Sequence, residues 1–121
     1  MKWKKANPEL SEHLESALAE FDCQRRKMFG HPTFFIRGNM FAGIFGDDVF
    51  IRLSEADREA VFKSFDEAAP FEPLEGRVMR QYVVLPQAIY DDSALFHLWL
   101  GRAFEYASGL APKPVKKKVK K

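Results

Sequence analysis

Lysines concentrated near one end of the chain are the residues best able to bind a partner by simple electrostatics. Six of the nine residues from position 113 onward are lysine. A run of like charges at this density is typical of an arm that holds nucleic acid through counterion release. A flexible end that only solubilises the protein is the alternative interpretation. The candidate nucleic-acid contacts in this arm are Lys113, Lys116, Lys117, Lys118, Lys120 and Lys121.

Basic side chains inside the body of the chain form a second candidate for contact with nucleic acid. Arg26 lies in one predicted strand, and Arg77 and Arg80 lie in another that also holds Tyr82. If the two strands were close, these cations and the aromatic ring could neutralise phosphates and stack on bases. The alternative is a solvated outer face of the sheet, whose cations are balanced by acidic side chains.

The sequence does not define a metal site or a reactive thiol among its three histidines and one cysteine. His13, His31 and His97 lie on separate predicted elements, and His13 and His31 have no second ligand at the tight spacing of a metal site. Cys23 follows the first predicted helix, where the basic residues 25–27 favour its thiolate and the helix C-terminus disfavours it. A structural thiol is the preferred interpretation. We therefore assign no catalytic residue, no metal ligand and no cofactor.

Two further patterns have structural explanations. The Gly43–Gly46 spacing is that of a phosphate-clamping loop, but it holds Ile and Phe at a strand end, where glycine relieves crowding. Asp91 and Asp92 precede the last predicted helix, where acidic groups complement the helix dipole. His31 lies in an irregular turn, and loops of that kind often carry function. A ligand pocket or enzyme site near His31 and the sheet is therefore an alternative hypothesis.

The last predicted helix is apolar over more than half of its circumference. A helix that covers one sheet face needs only an apolar stripe, so the surplus predicts either a partner surface or burial on two sides. Both interpretations stay open, and a second copy of the chain or another protein would be the partner. The residues of this candidate surface are Phe96, Trp99, Leu100 and Phe104.

Hydrophobic periodicity shows which elements position these residues. Asn7 caps a first helix with Pro8 at its first position, Ser54 opens a second helix, and Asp92 or Ser93 opens the last. The turns at residues 37–39 and 46–48 are short enough for hairpins, and residues 67–76 form a Pro-containing loop. The predicted strands are residues 26–29, 33–36, 40–45, 49–53 and 77–85.

The order α-β-β-β-β-α-β-α predicts an α+β fold of two layers. An antiparallel sheet of about five strands should carry the helices on one face. We expect a basic N-terminal extension at residues 1–6, one domain at residues 7–110 and a disordered polybasic tail at residues 111–121.

Composition and charge narrow the function classes. The chain has 121 residues with 12 phenylalanines and one cysteine, which excludes an internal disulfide and favours a reducing cytoplasm. No stretch resembles a signal peptide or a membrane span, so no membrane partner is expected. The net charge of +2 conceals an asymmetry. Nine of the 19 basic residues lie in positions 1–5 and 113–121, which leaves ten against all 17 acidic residues in the body.

An ordered series of motifs resembles the N-terminal domain of the TfoX/Sxy family over about residues 10–108. The resemblance implies a two-layer α+β domain, present here as a stand-alone copy, and carries over no catalytic residue. The family's named members regulate natural competence in bacteria, acting with a transcription activator at promoters. The matching positions are Met28-Phe29-Gly30, Phe35, Gly38, Met40-Phe41, Asp47-Asp48, Val49–Arg52, Arg77–Tyr82, Leu85-Pro86, Trp99, Ala103 and Tyr106.

Two classes of function follow from these observations. The first is a non-enzymatic regulatory or interaction protein that contacts DNA non-specifically through its lysine tail. The second is a small ligand-binding domain or enzyme with a pocket near His31. The first is favoured because catalysis needs a nucleophile or an acid–base pair positioned together, and the sequence displays neither.

Overall fold

Four helices and six strands make up the part of the chain that the structure describes. This structure is a computed structural model, and it describes residues 7–28 and 31–112. The helices are α1 (Pro8–Ala17), α2 (Glu55–Ser64), α3 (Gln87–Tyr90) and α4 (Ser93–Ser108). The strands are β1 (Gln24–Met28), β2 (His31–Ile36), β3 (Asn39–Phe45), β4 (Asp48–Arg52), β5 (Ala69–Leu74) and β6 (Arg77–Leu85).

The helix starts follow their capping residues, as the sequence predicts. The Asn7 side chain accepts hydrogen bonds from the backbone N–H groups of Glu9 and Leu10. Asp92 does the same for the first turn of α4, and the Ser54 hydroxyl accepts from the backbone N–H of Asp57. Each cap satisfies a donor that the helix itself leaves unpaired.

The strands form one antiparallel sheet in the order β1-β2-β3-β4-β6-β5. The predicted α+β class is therefore confirmed, with six strands in place of about five. The missed strand is β5, which holds Pro70 and Pro73 and was predicted as a loop. Proline lacks the N–H that a central strand needs, but an edge strand tolerates it. Because β5 lies at the edge of the sheet, its prolines do not prevent pairing with β6.

The main core lies between the helices and one face of the sheet. Helix α4 packs across β2, β3 and β4, α1 packs on β3, and α2 packs on β6. Leu14 of α1, Ile51 of β4 and Leu100 of α4 are completely buried there. A second, smaller cluster contains Phe50, Phe71 and Tyr82. Because side chains alternate along a strand, Phe50 points to the face opposite Ile51, away from the helices.

Candidate functional site

An apolar pocket lies on the sheet face opposite the helices. Its volume is about 260 Å³. Strands β2, β3 and β4 form its floor, and the β5–β6 hairpin supplies the remaining wall. The described residues that line it are His31, Thr33, Met40, Ile44, Phe45, Phe50, Phe71, Pro73, Leu74 and Met79. A concave and mostly apolar surface of this kind is the usual form of a small-molecule site.

Stacked aromatic rings build the walls of the pocket. The rings of Phe50 and Phe71 are nearly parallel, with centroids 4.1 Å apart. Phe45 meets Phe71 edge to face at 5.7 Å and stacks on the His31 ring at 4.7 Å. Such pairs fix the ring orientations beyond what burial alone would do. The wall is therefore a connected set of rings.

Two features of the backbone allow the Phe50–Phe71 stack. Gly43 lies directly opposite Phe50 in the β3–β4 pair, and a Cβ atom at Gly43 would lie 2.5 Å from Phe50 Cζ. The glycine therefore makes room for the ring, which agrees with the steric interpretation of the Gly43–Gly46 spacing. The β5–β6 pairing changes register on both sides of Phe71. Such irregularities bend and twist a strand, and here they accompany the approach of Phe71 to Phe50.

Tyr82 stabilises the aromatic cluster that it forms with Phe50 and Phe71 behind the pocket. Its hydroxyl donates a hydrogen bond to the Met40 carbonyl oxygen at 3.0 Å, and its ring meets Phe50 edge to face. Burial raises the pKa of the Tyr82 phenol, and the nearby Arg52 guanidinium opposes that shift. The phenol therefore stays neutral and hydrogen-bonded over the physiological range. Tyr82 supports the pocket but is not one of its described lining residues.

The pocket lining is nearly devoid of polar groups. Among the described lining residues, His31 and Thr33 carry the only polar side chains, and both residues are buried. The Thr33 hydroxyl donates to the Arg26 carbonyl oxygen at 3.1 Å. None of the described lining residues is Asp, Glu, Lys, Arg or Cys. The described lining residues thus include no carboxylate.

The predicted basic patch of Arg26, Arg77 and Arg80 is not assembled. Arg26 belongs to β1 at one edge of the sheet, whereas Arg77 and Arg80 belong to β6. Three strands lie between β1 and β6, which separates them by about 19 Å at roughly 4.8 Å per neighbouring pair. The Arg26 guanidinium instead lies 5.1 Å from the centre of the Phe35 ring. Strand order, which the sequence pattern does not reveal, decides this outcome.

The apolar face of α4 is packed inside its own chain. Phe96 and Leu100 are at most 1% exposed, Trp99 is buried, and Phe104 packs at the margin of the main core. The second of the two sequence interpretations, burial on two sides, is the one that this structure shows. These four residues therefore do not form an exposed partner surface. Leu98, on the same helix, is 47% exposed and faces away from that core.

The two histidines outside the pocket, His13 and His97, make contacts within the fold. His13 bonds through Nε2 to the Tyr90 carbonyl oxygen at 2.6 Å, and His97 pairs with the Glu20 carboxylate. His13 and His97 line a shallow groove between α1 and α4. The described residues hold no group of three or more His, Cys, Asp or Glu side chains that could bind a metal ion.

Cys23 and the acidic residues before α4 also serve the fold. Partial burial raises the pKa of the Cys23 thiol, and the Asp22 carboxylate adds to that shift. A raised pKa lowers the thiolate fraction, which makes the thiol less reactive. Asp92 caps α4, and Asp91 accepts a hydrogen bond from the Gln87 side chain at 2.8 Å.

The lysine arm predicted at residues 113–121 lies outside the described residues. Contacts near its start are described, however. The Asn39 side chain donates to the Ala111 carbonyl oxygen at 3.0 Å, and Arg37 donates to the Ser108 carbonyl oxygen at 3.1 Å. Residues 108–111 are therefore held beside the turn between β2 and β3. No helix within the described ranges is long and apolar enough to cross a membrane.

The sheet, the helical layer and the open-face pocket make up a small α+β domain. Its sequence matches the family model of the TfoX N-terminal domain over residues 13–107. The chain therefore belongs to the TfoX N-terminal domain family, as the motif series predicted. Membership of this family suggests a regulatory or interaction role. A comparison with curated proteins finds no match.

Proposed function

We propose that this protein is a non-enzymatic regulatory or interaction protein whose lysine-rich segment at residues 113–121 contacts DNA non-specifically. The observation that carries the proposal is the segregation of charge along the chain. Six lysines fall within nine residues, whereas the body between residues 6 and 112 has ten basic against 17 acidic residues. A polyanion is attracted to the first region and repelled by the net charge of the second.

Ion pairs within the body also favour DNA contact through the lysine-rich segment and not through the body. Arg25 pairs with Glu15, and Arg102 pairs with Asp57. A phosphate that approached these arginines would compete with a partner already in place. The arginines of the body that hydrogen-bond or form ion pairs within the chain are Arg25, Arg37, Arg52, Arg58 and Arg102.

Family membership supports the regulatory half of the proposal. The named TfoX/Sxy regulators act on bacterial transcription during competence, and we propose a role of that general kind in the bacterial cytoplasm. In this proposal the folded body meets a protein or small-molecule partner, and the lysine segment holds the assembly near DNA. The described contacts of Ser108 and Ala111 hold the chain beside the β2–β3 turn, two residues before that segment begins in the sequence.

Two charge-matched triple variants of the full chain test the DNA contact. The first changes Lys116, Lys117 and Lys118 to Gln, and the second changes Arg26, Arg77 and Arg80 to Gln. Binding of each to a fluorescent DNA duplex of mixed sequence is measured at several salt concentrations. For the unaltered chain we expect log K against log salt to have a slope of about −5, from six phosphate contacts.

The lysine triple should reduce the magnitude of this slope by about 3, because each lost phosphate contact removes about one unit. The arginine triple should leave the slope near its original value. Equal losses from the two variants, or a larger loss from the arginine triple, would show that the body binds DNA and would contradict the proposal.

A small-molecule binding domain is the second candidate function. The observation that favours it is the apolar pocket, which lies beside His31 as that hypothesis requires. The enzymatic version has less support, because the Thr33 hydroxyl is the one nucleophile type among the described lining residues and it donates to the Arg26 carbonyl oxygen. Binding without catalysis is therefore the form of this candidate that the geometry supports.

A further inference from the structure

We infer that the open-face pocket binds a neutral, flat aromatic molecule of about two fused rings. This inference deepens the second candidate function and does not depend on DNA contact by the lysine segment. It rests on three properties of the pocket: its volume, the stacking geometry of its walls and the charge of its lining.

Volume sets the size of the ligand. An apolar cavity of about 150 Å³ takes up one benzene molecule. The pocket here is about 260 Å³, which is room for a bicyclic ring system. Leu74 at its edge is exposed, so the space is a surface concavity that a guest can fill, not a void inside the core.

The arrangement of aromatic rings in the pocket wall favours a planar aromatic ligand. Phe50 and Phe71 are inclined by only 12°, and Phe45 stands edge-on to Phe71. Phe50 and Phe71 already stack on each other, so a planar guest would lie against the outward side of this stack or against a ring edge, arrangements that aromatic pairs prefer. Met40 and Met79 complete the lining with flexible thioethers, which adapt to a guest and make favourable contacts with aromatic rings.

Charge excludes ions. No Asp, Glu, Lys or Arg side chain is among the described lining residues, and the His31 imidazole is the one ionisable group among them, so an ionised guest would lose most of its hydration without a permanent opposite charge to replace it. The Thr33 hydroxyl already donates to a backbone carbonyl, but its oxygen retains a lone pair that can accept one hydrogen bond. A neutral guest with at most one small polar group therefore fits this lining best.

The rim of the pocket is open to solvent on the side of the β5–β6 hairpin. Leu74, which lines the pocket, is 41% exposed. An exposed large apolar side chain at the edge of a concave apolar surface is typical of a binding groove. A guest could therefore enter without rearrangement of the helical layer.

Methionine-methyl NMR on the full chain tests the inference with naphthol as a neutral bicyclic probe and naphthoate as its charged counterpart. The resonances of Met40 and Met79 are assigned from Met40→Leu and Met79→Leu variants. We expect saturable shifts of both resonances with naphthol, and binding of naphthoate that is weaker by about tenfold or more. This comparison requires no variant that perturbs the fold.

A pair of neighbouring substitutions then locates the site. Met79→Trp fills the pocket and should weaken naphthol binding by about tenfold or more, a loss that corresponds to about 1.4 kcal/mol. Val78→Trp is the matched control, because Val78 is 46% exposed and is not a described lining residue. Absence of saturable shifts, equal binding of the two probes, or unchanged naphthol affinity in a folded Met79→Trp variant would overturn the inference.

Discussion

The two faces of the sheet are made from the same strands, yet they differ in how fully they are covered. On the helix side, Val49, Ile51 and Val83 are completely buried in the core that the strands share with the helices. On the other side, alternate residues of the same strands form a cluster of rings that leaves a pocket of about 260 Å³. The comparison indicates that the helix side maintains the fold, whereas the open side has apolar surface beyond what the fold requires.

Truncation of a residue on the helix side should have the largest effect on stability. Leu100→Ala removes a completely buried side chain of α4, so we expect a loss of about 2–5 kcal/mol in the free energy of unfolding. Leu98→Ala, on the exposed side of the same helix, should stay within about 0.5 kcal/mol. Urea unfolding followed by circular dichroism measures both. Similar losses from the two variants would contradict the helical packing described above.

Two glycine-to-alanine substitutions, one on each side of the sheet, should change the free energy of unfolding in opposite directions. Gly43→Ala places a Cβ atom 2.5 Å from Phe50 Cζ, so we expect a loss of about 1–3 kcal/mol from overpacking. Gly101→Ala lies in α4, where an added Cβ would meet no described atom within 4 Å apart from its chain neighbours and the adjacent helix backbone. Its expected effect is a gain of about 0.5–1 kcal/mol from helix propensity.

A double substitution separates the Gly43 clash from other effects. If the Phe50 ring is the obstacle, Gly43→Ala should be less harmful in a Phe50→Leu background than in the unaltered chain. The measurement is a double-mutant cycle of unfolding free energies. An unchanged cost in that background would show that the glycine is needed for another reason.

The smallest expected effect concerns alkaline pH on the open side. Burial raises the pKa of Tyr82 above its ordinary value near 10, so the folded state favours the neutral phenol. Its contribution to stability is complete below the unfolded pKa and is lost as pH rises through the folded pKa. Tyr82→Phe should therefore flatten the fall in stability above about pH 10.

The control for this pH effect is the stability of Tyr82→Phe measured at neutral pH, where the phenol is protonated in both states. There Tyr82→Phe should cost about 0.5–1.5 kcal/mol, because the hydrogen bond to the Met40 carbonyl oxygen is lost. Tyr90 and Cys23 also have raised pKa values, so some alkaline sensitivity should persist in the variant. Identical alkaline slopes for the two proteins would rule out a contribution from Tyr82.

Local signals in the sequence predicted most of the fold. Asn7, Ser54 and Asp92 mark helix starts because capping is an interaction between neighbours in the chain. The first four strands were found because their alternation and their turns are equally local. Strand β5 was missed because Pro70 and Pro73 argue against a strand unless its edge position is known.

The candidate site depends on pairings that the sequence pattern does not contain. Phe50 and Phe71 are separated by a helix and a turn, and their contact follows from β6 pairing with both β4 and β5. The alternation of Phe50 with Ile51 could have indicated a ring on the face opposite the core. The candidate patch of Arg26, Arg77 and Arg80 depended on two strands lying close together, and the strand order of the sheet separates them.

A crystal structure of the full chain grown with naphthol tests most directly the claim that the open face of the sheet is the binding face. We predict electron density for a bicyclic ring against Phe45, Phe71 and Met79. Naphthol bound only in the groove between α1 and α4 beside His13 and His97, or an empty pocket at saturating naphthol, would contradict the claim.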